Sequence, residues 1–291
     1  MKPAPFQYHR PATVAETVDL LGAHGDEAKP LAGGQSLIPM LALRLARFEH
    51  LVDVNFVEGL AAIARDDGWL RIGAMTRQAA LERDATVASA APLLSRATPL
   101  IGHFQIRNRG TVGGSLAHAD PASEYPAVAV ALGAELEVSS KAGPRTVAAD
   151  DFFVGTWTTA LADGELLTAV RVPVWSGRCG FAVEEMARRL GDFALCGAAV
   201  AVRLSDDGSD AVAAAGIGLF GVGPTPIHAQ QAESALVAGE RDLAEIGRLA
   251  MADSEPSDDV HATARYRSSV GAHLVARALE RALAEAKGGG A

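Results

Sequence analysis

Residues 30–41 read PLAGGQSLIPML: a short apolar approach, a glycine turn at Ala32-Gly33-Gly34-Gln35-Ser36, and a helical run that starts at Leu37. Working outward, the periodicity predicts a helix over Thr13–Gly25, capped by Thr13, and a strand over HLVDVN at 50–55. Strand, glycine turn and helix therefore follow one another in a first lobe, residues 1–55. A second glycine turn, Gly110-Thr111-Val112-Gly113-Gly114-Ser115, falls in a second lobe, residues 56–176. Strands are expected there at 69–72, 134–139 and 166–172, and helices at 76–83, 92–98 and 121–132. Residues 101–115 lack plain periodicity and read as a long loop. A third lobe, 177–287, shows strand-like runs at 181–186, 198–204 and 211–220. Helices follow at 228–236, 243–251 and 262–286, the last with Val270, Leu274, Ala278 and Leu283 on one face, and Gly288–Ala291 reads as a frayed end.

The two turns carry the chemistry. Glycine admits φ > 0 and brings backbone N–H groups close to a ligand with no side chain between. A helix start behind the turn adds free donors, so each turn suits an anionic pyrophosphate, and Ser36 could add its hydroxyl. Two such turns in different lobes could grip one extended dinucleotide from both sides. The single literal GxGxxG, at Gly216, Gly218 and Gly221, is a poor dinucleotide fingerprint. Gly223-Pro224-Thr225-Pro226 follows it, and no helix can start there.

Composition removes other classes. The 291 residues carry 26 basic and 35 acidic side chains, a net charge of −9, which disfavours nucleic acid and anionic lipid. The first ten residues show no secretory signal and no run is long and apolar enough for a membrane span, so a cytoplasmic location is expected. Cys179 and Cys196, the only cysteines, cannot supply four thiolates for an iron–sulfur cluster. His118 and Asp120 are too few for a metal site, and no metal is expected. Asp120 reads as the cap of the helix after Pro121, with Ser123 and Glu124 in its first turn. Arg107 and Arg109 are candidates either for neutralising phosphates or for an exposed, partner-facing role. No catalytic nucleophile is assigned.

These segments resemble the FAD-binding medium subunits of the molybdenum hydroxylases, the group of carbon monoxide, nicotine and xanthine dehydrogenases. The matching stretches are PLAGGQSLIPML (30–41), QIRNRGTVGGSLAHADPASEYPA (105–127), GELLTAVRVP (164–173), RRLGDFALCGAAVAV (188–202) and YRSSVGAHLVARALERAL (266–283). The resemblance implies an α+β fold of the PCMH type, two α/β lobes holding FAD and a C-terminal lobe of antiparallel sheet and helices. It implies that Ala32, Gly33, Gly34, Gln35, Ser36 and Leu37 with Thr111, Gly113, Gly114 and Ser115 bind the pyrophosphate and ribityl portions, largely through amides. Glu124 matches an acidic cofactor contact, Ile101 and Leu167 match apolar positions lining the flavin, Phe193 an aromatic one, and His118 is read as a polar flavin-side contact. Glu184 stands where xanthine dehydrogenase-like members carry lysine, and Gln35 where some have histidine.

The implied activity is electron relay in a heterohexamer. The molybdenum cofactor lies on a large partner subunit and the iron–sulfur clusters on a small one, and FAD passes electrons to an external acceptor. Two other readings stand beside it. One is a self-contained flavin oxidoreductase with its own substrate, akin to vanillyl-alcohol oxidase, for which three tyrosines offer little catalytic material. The other is a binding module in which both glycine stretches are plain turns.

Overall fold

Residues 2–289 are described by the structure, a computed structural model, so Gly290 and Ala291 of the closing stretch lie outside it. The first lobe runs β1 (Gln7–His9), α1 (Val14–His24), β2 (Ala28–Leu31), α2 (Leu37–Ala42) and β3 (His50–Asp53). Thr13 caps α1 as expected, its hydroxyl accepting the Glu16 amide at 3.1 Å. The three strands are parallel in the order β1-β3-β2. Because β3 is central, all four of its residues are buried, His50 and Asp53 included. The strand ends at Asp53, short of Asn55, and α2 ends at Ala42, where Arg44 takes the left-handed φ of 59°.

The middle lobe runs β4 (Ile63–Asp66), β5 (Trp69–Gly73), α3 (Gln78–Leu81), α4 (Ala85–Ala90), α5 (Pro92–Ala97), α6 (Phe104–Arg109), α7 (Val112–His118) and α8 (Glu124–Leu132). It continues with β6 (Glu135–Ser140), β7 (Gly143–Ala148), α9 (Ala149–Phe152), β8 (Phe153–Gly155), β9 (Thr158–Thr159) and β10 (Leu166–Pro173). Its main sheet is antiparallel, in the order β4-β5-β10-β6-β7. The expected loop over 101–115 is instead two short helices, α6 and α7, meeting at Gly110. Asp120 is not the cap of α8: its carboxylate accepts the Ala122 amide at 2.9 Å in a turn, and the helix starts later, after Ser123.

The last lobe runs β11 (Cys179–Ala187), β12 (Ala194–Leu204), β13 (Val212–Phe220), β14 (Ile227–His228), α10 (Gln230–Ala238), α11 (Leu243–Ala250) and α12 (Ala264–Ala284), with its four strands antiparallel in chain order. On α12, Leu274 and Ala278 are buried as expected. Val270 and Leu283 lie at the edge of a stripe completed by Gly271, Val275, Leu279 and Ala282.

Helix α8 joins the middle and last lobes. Every one of its residues is buried, because one side packs into the middle-lobe core and the other against β13. Gly216 and Gly218 make that approach possible. A Cβ at these positions would fall 1.9 Å from the Ala131 carbonyl oxygen and 2.0 Å from that of Ala127. The GxGxxG is thus a helix-to-sheet contact and not a phosphate cradle. Gly218→Val should cost about 3 kcal/mol through overpacking, read as a lower denaturation midpoint in urea. Unchanged stability would contradict this packing.

Candidate functional site

Loop one, the glycine turn at residues 32–36, leaves the carboxyl end of β2, and the segment after β3 turns beside it, where ligands collect in parallel sheets. Gly34, with φ of 73°, reverses the chain. Among the described residues, no hydrogen bond engages the backbone amides of Gly33, Gly34, Gln35, Ser36 or Leu37. Five consecutive N–H groups are therefore available to a ligand. The Gln35 side chain turns inward, donating to the Gly33 carbonyl at 3.0 Å.

The second glycine stretch differs from expectation. Thr111 caps α7, its hydroxyl accepting the Gly114 amide at 3.1 Å. The Val112 amide donates to the Thr76 carbonyl at 3.0 Å and the Gly113 amide to that of Ala74 at 2.8 Å. The amides of Val112, Gly113 and Gly114 are consumed inside the protein, so this stretch cannot grip a phosphate mainly through N–H groups. Gly113 lets α7 close on Ala74, and Gly114 faces Ala32, its would-be Cβ 3.4 Å from the Ala32 methyl. Ser115 sits half-buried one position further along the helix.

The two stretches touch. A Cβ on Gly33 would lie 2.4 Å from the Arg109 carbonyl oxygen and 2.8 Å from the Gly110 Cα, so backbone meets backbone. Four side chains hold that contact. Asn55 donates to the Ala32 carbonyl at 2.9 Å and to Asp53 at 2.5 Å. Its side-chain oxygen accepts from Arg77 at 2.6 Å, and Arg77 donates from its other nitrogen to the Arg109 carbonyl. Tyr8 donates to Asp53 at 2.5 Å. Burial works against the Asp53 carboxylate, yet hydrogen bonds from Tyr8 and Asn55 hold it below the usual range. Sequence reasoning passed over all four residues. The one signal it held was a polar Asp53-Val54-Asn55 at the carboxyl end of a parallel strand.

The residues expected around the flavin are only partly gathered. Ile101 is half-buried against the middle-lobe core, in the turn before α6. Phe193, 70% exposed, lies immediately before β12 in a turn that packs on that same segment, with the His103 ring 2.6 Å from a Cβ placed on Gly191. Leu167 is buried in the middle-lobe core on β10 and has little surface to offer a ligand. His118 ends α7, its ring nitrogen 4.0 Å from the Asp120 carboxylate, and burial keeps its pKa below the ordinary value. The Trp157 indole donates to Asp120 at 3.2 Å and lies parallel to the His118 ring. Arg107 fills neither role considered for it: it is tied to Glu82 at 2.9 Å and to the Ile101 and Gly102 carbonyls. Arg109 is exposed.

Glu124 opens α8 and is buried, which pushes its pKa up to about 8, with Glu185 and Asp120 adding to the rise. Glu185, missed in the sequence, is raised to about 7 by burial, and one of its carboxylate oxygens is buried without a partner. Glu184 points the other way, to Arg281 and Arg277 of α12.

Comparisons with known proteins place the chain in a family. Residues 4–175 match the family model of the FAD binding domain in molybdopterin dehydrogenase, and residues 181–282 that of the CO dehydrogenase flavoprotein C-terminal domain. The chain is 41% identical over 290 residues to the carbon monoxide dehydrogenase medium chain of Afipia carboxidovorans, covering 99% of this chain and 100% of that one. It is 38% identical to caffeine dehydrogenase subunit beta of Pseudomonas sp. (strain CBB1), covering 97% and 96%. Among solved structures it superposes on carbon monoxide dehydrogenase from Hydrogenophaga pseudoflava lacking the Mo-pyranopterin moiety, with TM-score 0.93 and 40% identity, covering 98% and 99%. Quinoline 2-oxidoreductase from Pseudomonas putida 86 gives TM-score 0.92 and 36% identity, covering 99% and 100%.

A carboxyl whose pKa is raised on folding stabilises the fold below its unfolded value, near 4.5, and that contribution is lost as pH rises through about 8. The chain without bound ligand should therefore lose stability between these two values. Glu124→Gln should flatten that decline, gaining a few kcal/mol at the alkaline end in denaturant titrations at several pH values. An equally steep decline in the variant would show that Glu124 is not the buried acid responsible.

Proposed function

The chain belongs to the FAD-binding medium chains of the CO dehydrogenase and xanthine dehydrogenase family, and from that membership we propose that it is the electron-relaying subunit of a molybdenum hydroxylase. In this reading it receives electrons from iron–sulfur clusters on a small partner and hands them to an external acceptor, while a large partner with the molybdenum cofactor oxidises the substrate. One large, one medium and one small chain form a unit, and two such units make the heterohexamer. Both cysteines are free and lie apart on β11 and β12, so the relay clusters belong on another polypeptide. No helix among the described residues is long and apolar enough to cross a membrane.

The observation that carries this assignment is the row of five free amides on loop one, set against the backbone of Arg109 and Gly110. It fits FAD because a diphosphate needs donors that approach without side chains, and because Gly114 leaves a gap opposite Ala32. We assign the diphosphate to the amides of Gly33, Gly34, Gln35, Ser36 and Leu37, with Ala32 packing beside them. Thr111, Gly113, Gly114 and Ser115 supply the opposing wall and its hydroxyls. Ile101 and Phe193 take the apolar side of the flavin and His118 and Glu124 its polar side, while Leu167 belongs to the middle-lobe core. Bound FAD supplies the redox chemistry, and the chain positions it. Asn55 and Arg77 hold the two walls at a fixed spacing. Glu124, protonated up to about pH 8, offers a donor where a carboxylate would repel electron-rich groups. Lobes at 1–55, 56–176 and 177–287 complete the reading, with the first two holding FAD.

A self-contained oxidoreductase finds no support in the tyrosines. Tyr8 is bound to Asp53, Tyr125 is fully buried against Thr98, and only Tyr266 is left.

The test is the flavin content of the purified chain, read from its visible spectrum. Gly34→Val meets a left-handed φ and Ile38 at 3.0 Å, and Gly114→Val closes the gap towards Ala32. Each should weaken FAD binding by more than about tenfold, a loss of about 1.4 kcal/mol, with the circular dichroism spectrum retained. Full flavin content in both folded variants would refute the loop assignment. Copurification with large and small subunits tests the relay role.

A further inference from the structure

The end of the first lobe away from the glycine turn carries three imidazoles that the flavin site does not use. His9 ends β1, His24 ends α1 and His50 opens β3. Parallel pairing of β1 with β3, Gln7 opposite His50 and His9 opposite Val52, places His9 and His50 on one face of the sheet. The His24 ring stacks on His50 with centroids 3.5 Å apart and planes 15° apart. His9 Nε2 lies 2.9 Å from His50 Nδ1, and one ring nitrogen of each residue lies within 4.8 Å of the other two.

This is an unfavourable place for three histidines unless something binds between them. Near face-to-face stacking is the least favoured ring arrangement. A single N–H···N bond accounts for His9 and His50, but among the described residues no hydrogen bond involves the His24 ring. Three adjacent imidazolium ions would repel one another. A tetrahedral zinc ion with Zn–N bonds of about 2.0–2.1 Å sets its nitrogens roughly 3.4 Å apart, between the 2.9 Å of the His9–His50 pair and the 4.8 Å that bounds the cluster. The carboxylates of Glu27 and Glu49 also lie within 4.8 Å of each other and of a His50 ring nitrogen, and they add negative charge beside the cluster. No thiol lies on these elements, and imidazole suits zinc and its first-row neighbours.

We propose that His9, His24 and His50 form a three-histidine site for a divalent first-row transition cation, with zinc the best match. The ion would fasten β1, β3 and α1 to one another. Because β3 ends at Asp53, it would stiffen the strand that leads to Asn55 and loop one. This site does not depend on the flavin assignment, and flavin content serves as the control for folding.

The full chain, stripped with EDTA and dialysed, is titrated with zinc chloride by calorimetry and with cobalt(II) by visible spectroscopy. The expected result is one zinc per chain, a higher melting temperature with zinc, and tetrahedral cobalt bands without a thiolate-to-metal charge-transfer band. His24 is half-buried at a helix end, so His24→Ala should fold with its FAD content intact while binding zinc at least about tenfold more weakly. His9→Gln should behave alike. Absence of stoichiometric zinc binding, affinity unchanged in both flavin-replete variants, or a thiolate band that reports Cys179 or Cys196 would each overturn the proposal.

Discussion

The site depends on backbone touching backbone where Gly33 meets Arg109 and Gly110. No residue with a Cβ fits at Gly33 without separating the first lobe from the middle one. The contact leaves five amides of loop one unpaired and orders them against a fixed wall. Neutral hydrogen bonds contribute only about 1 kcal/mol each, so the contact needs a network in place of a single bond. Tyr8, Asp53, Asn55 and Arg77 provide it, running from β1 across β3 into the middle lobe. The Asp53 carboxylate, held ionised by its donors, anchors the chain of bonds at its centre.

The two glycine turns, alike as strings of letters, divide the work between them. Loop one offers donors because nothing in the protein uses them. The start of α7 offers none at Val112, Gly113 and Gly114, because Thr76, Ala74 and Thr111 already accept from them. Its glycines are there for close packing. The same holds for Gly216 and Gly218, where the ligand-like pattern in the sequence is the footprint of α8 on β13. Helix α8 in turn buries Glu124 in its first turn. Its burial there, with Glu185 near, keeps a carboxyl protonated at neutral pH.

Long periodic segments were legible in the sequence. The strands of the last lobe, α12 and α1 follow from spacing and capping, and loop one follows from its glycines and the helix behind it. Helices α6 and α7 were not legible, because six- and seven-residue helices joined at a glycine have too few turns to show a period. Asp120 was misread as a cap since a turn and a cap draw on the same side-chain chemistry. The Asn55–Arg77 bond and the His9, His24 and His50 cluster join elements distant in sequence, and no short motif records either. Arg107, open in the sequence to either a phosphate or a partner-facing role, is occupied by Glu82 and the carbonyls of Pro99, Ile101 and Gly102.

The central claim is that the diphosphate, more than the flavin ring, is what loop one recognises. Competition against bound FAD, followed by flavin fluorescence, tests it directly with ADP and riboflavin as rivals. ADP should displace FAD, and riboflavin, which lacks the diphosphate, should bind weaker than FAD by at least about 100-fold, or about 2.7 kcal/mol. Riboflavin binding as tightly as FAD, with ADP inert, would contradict the account.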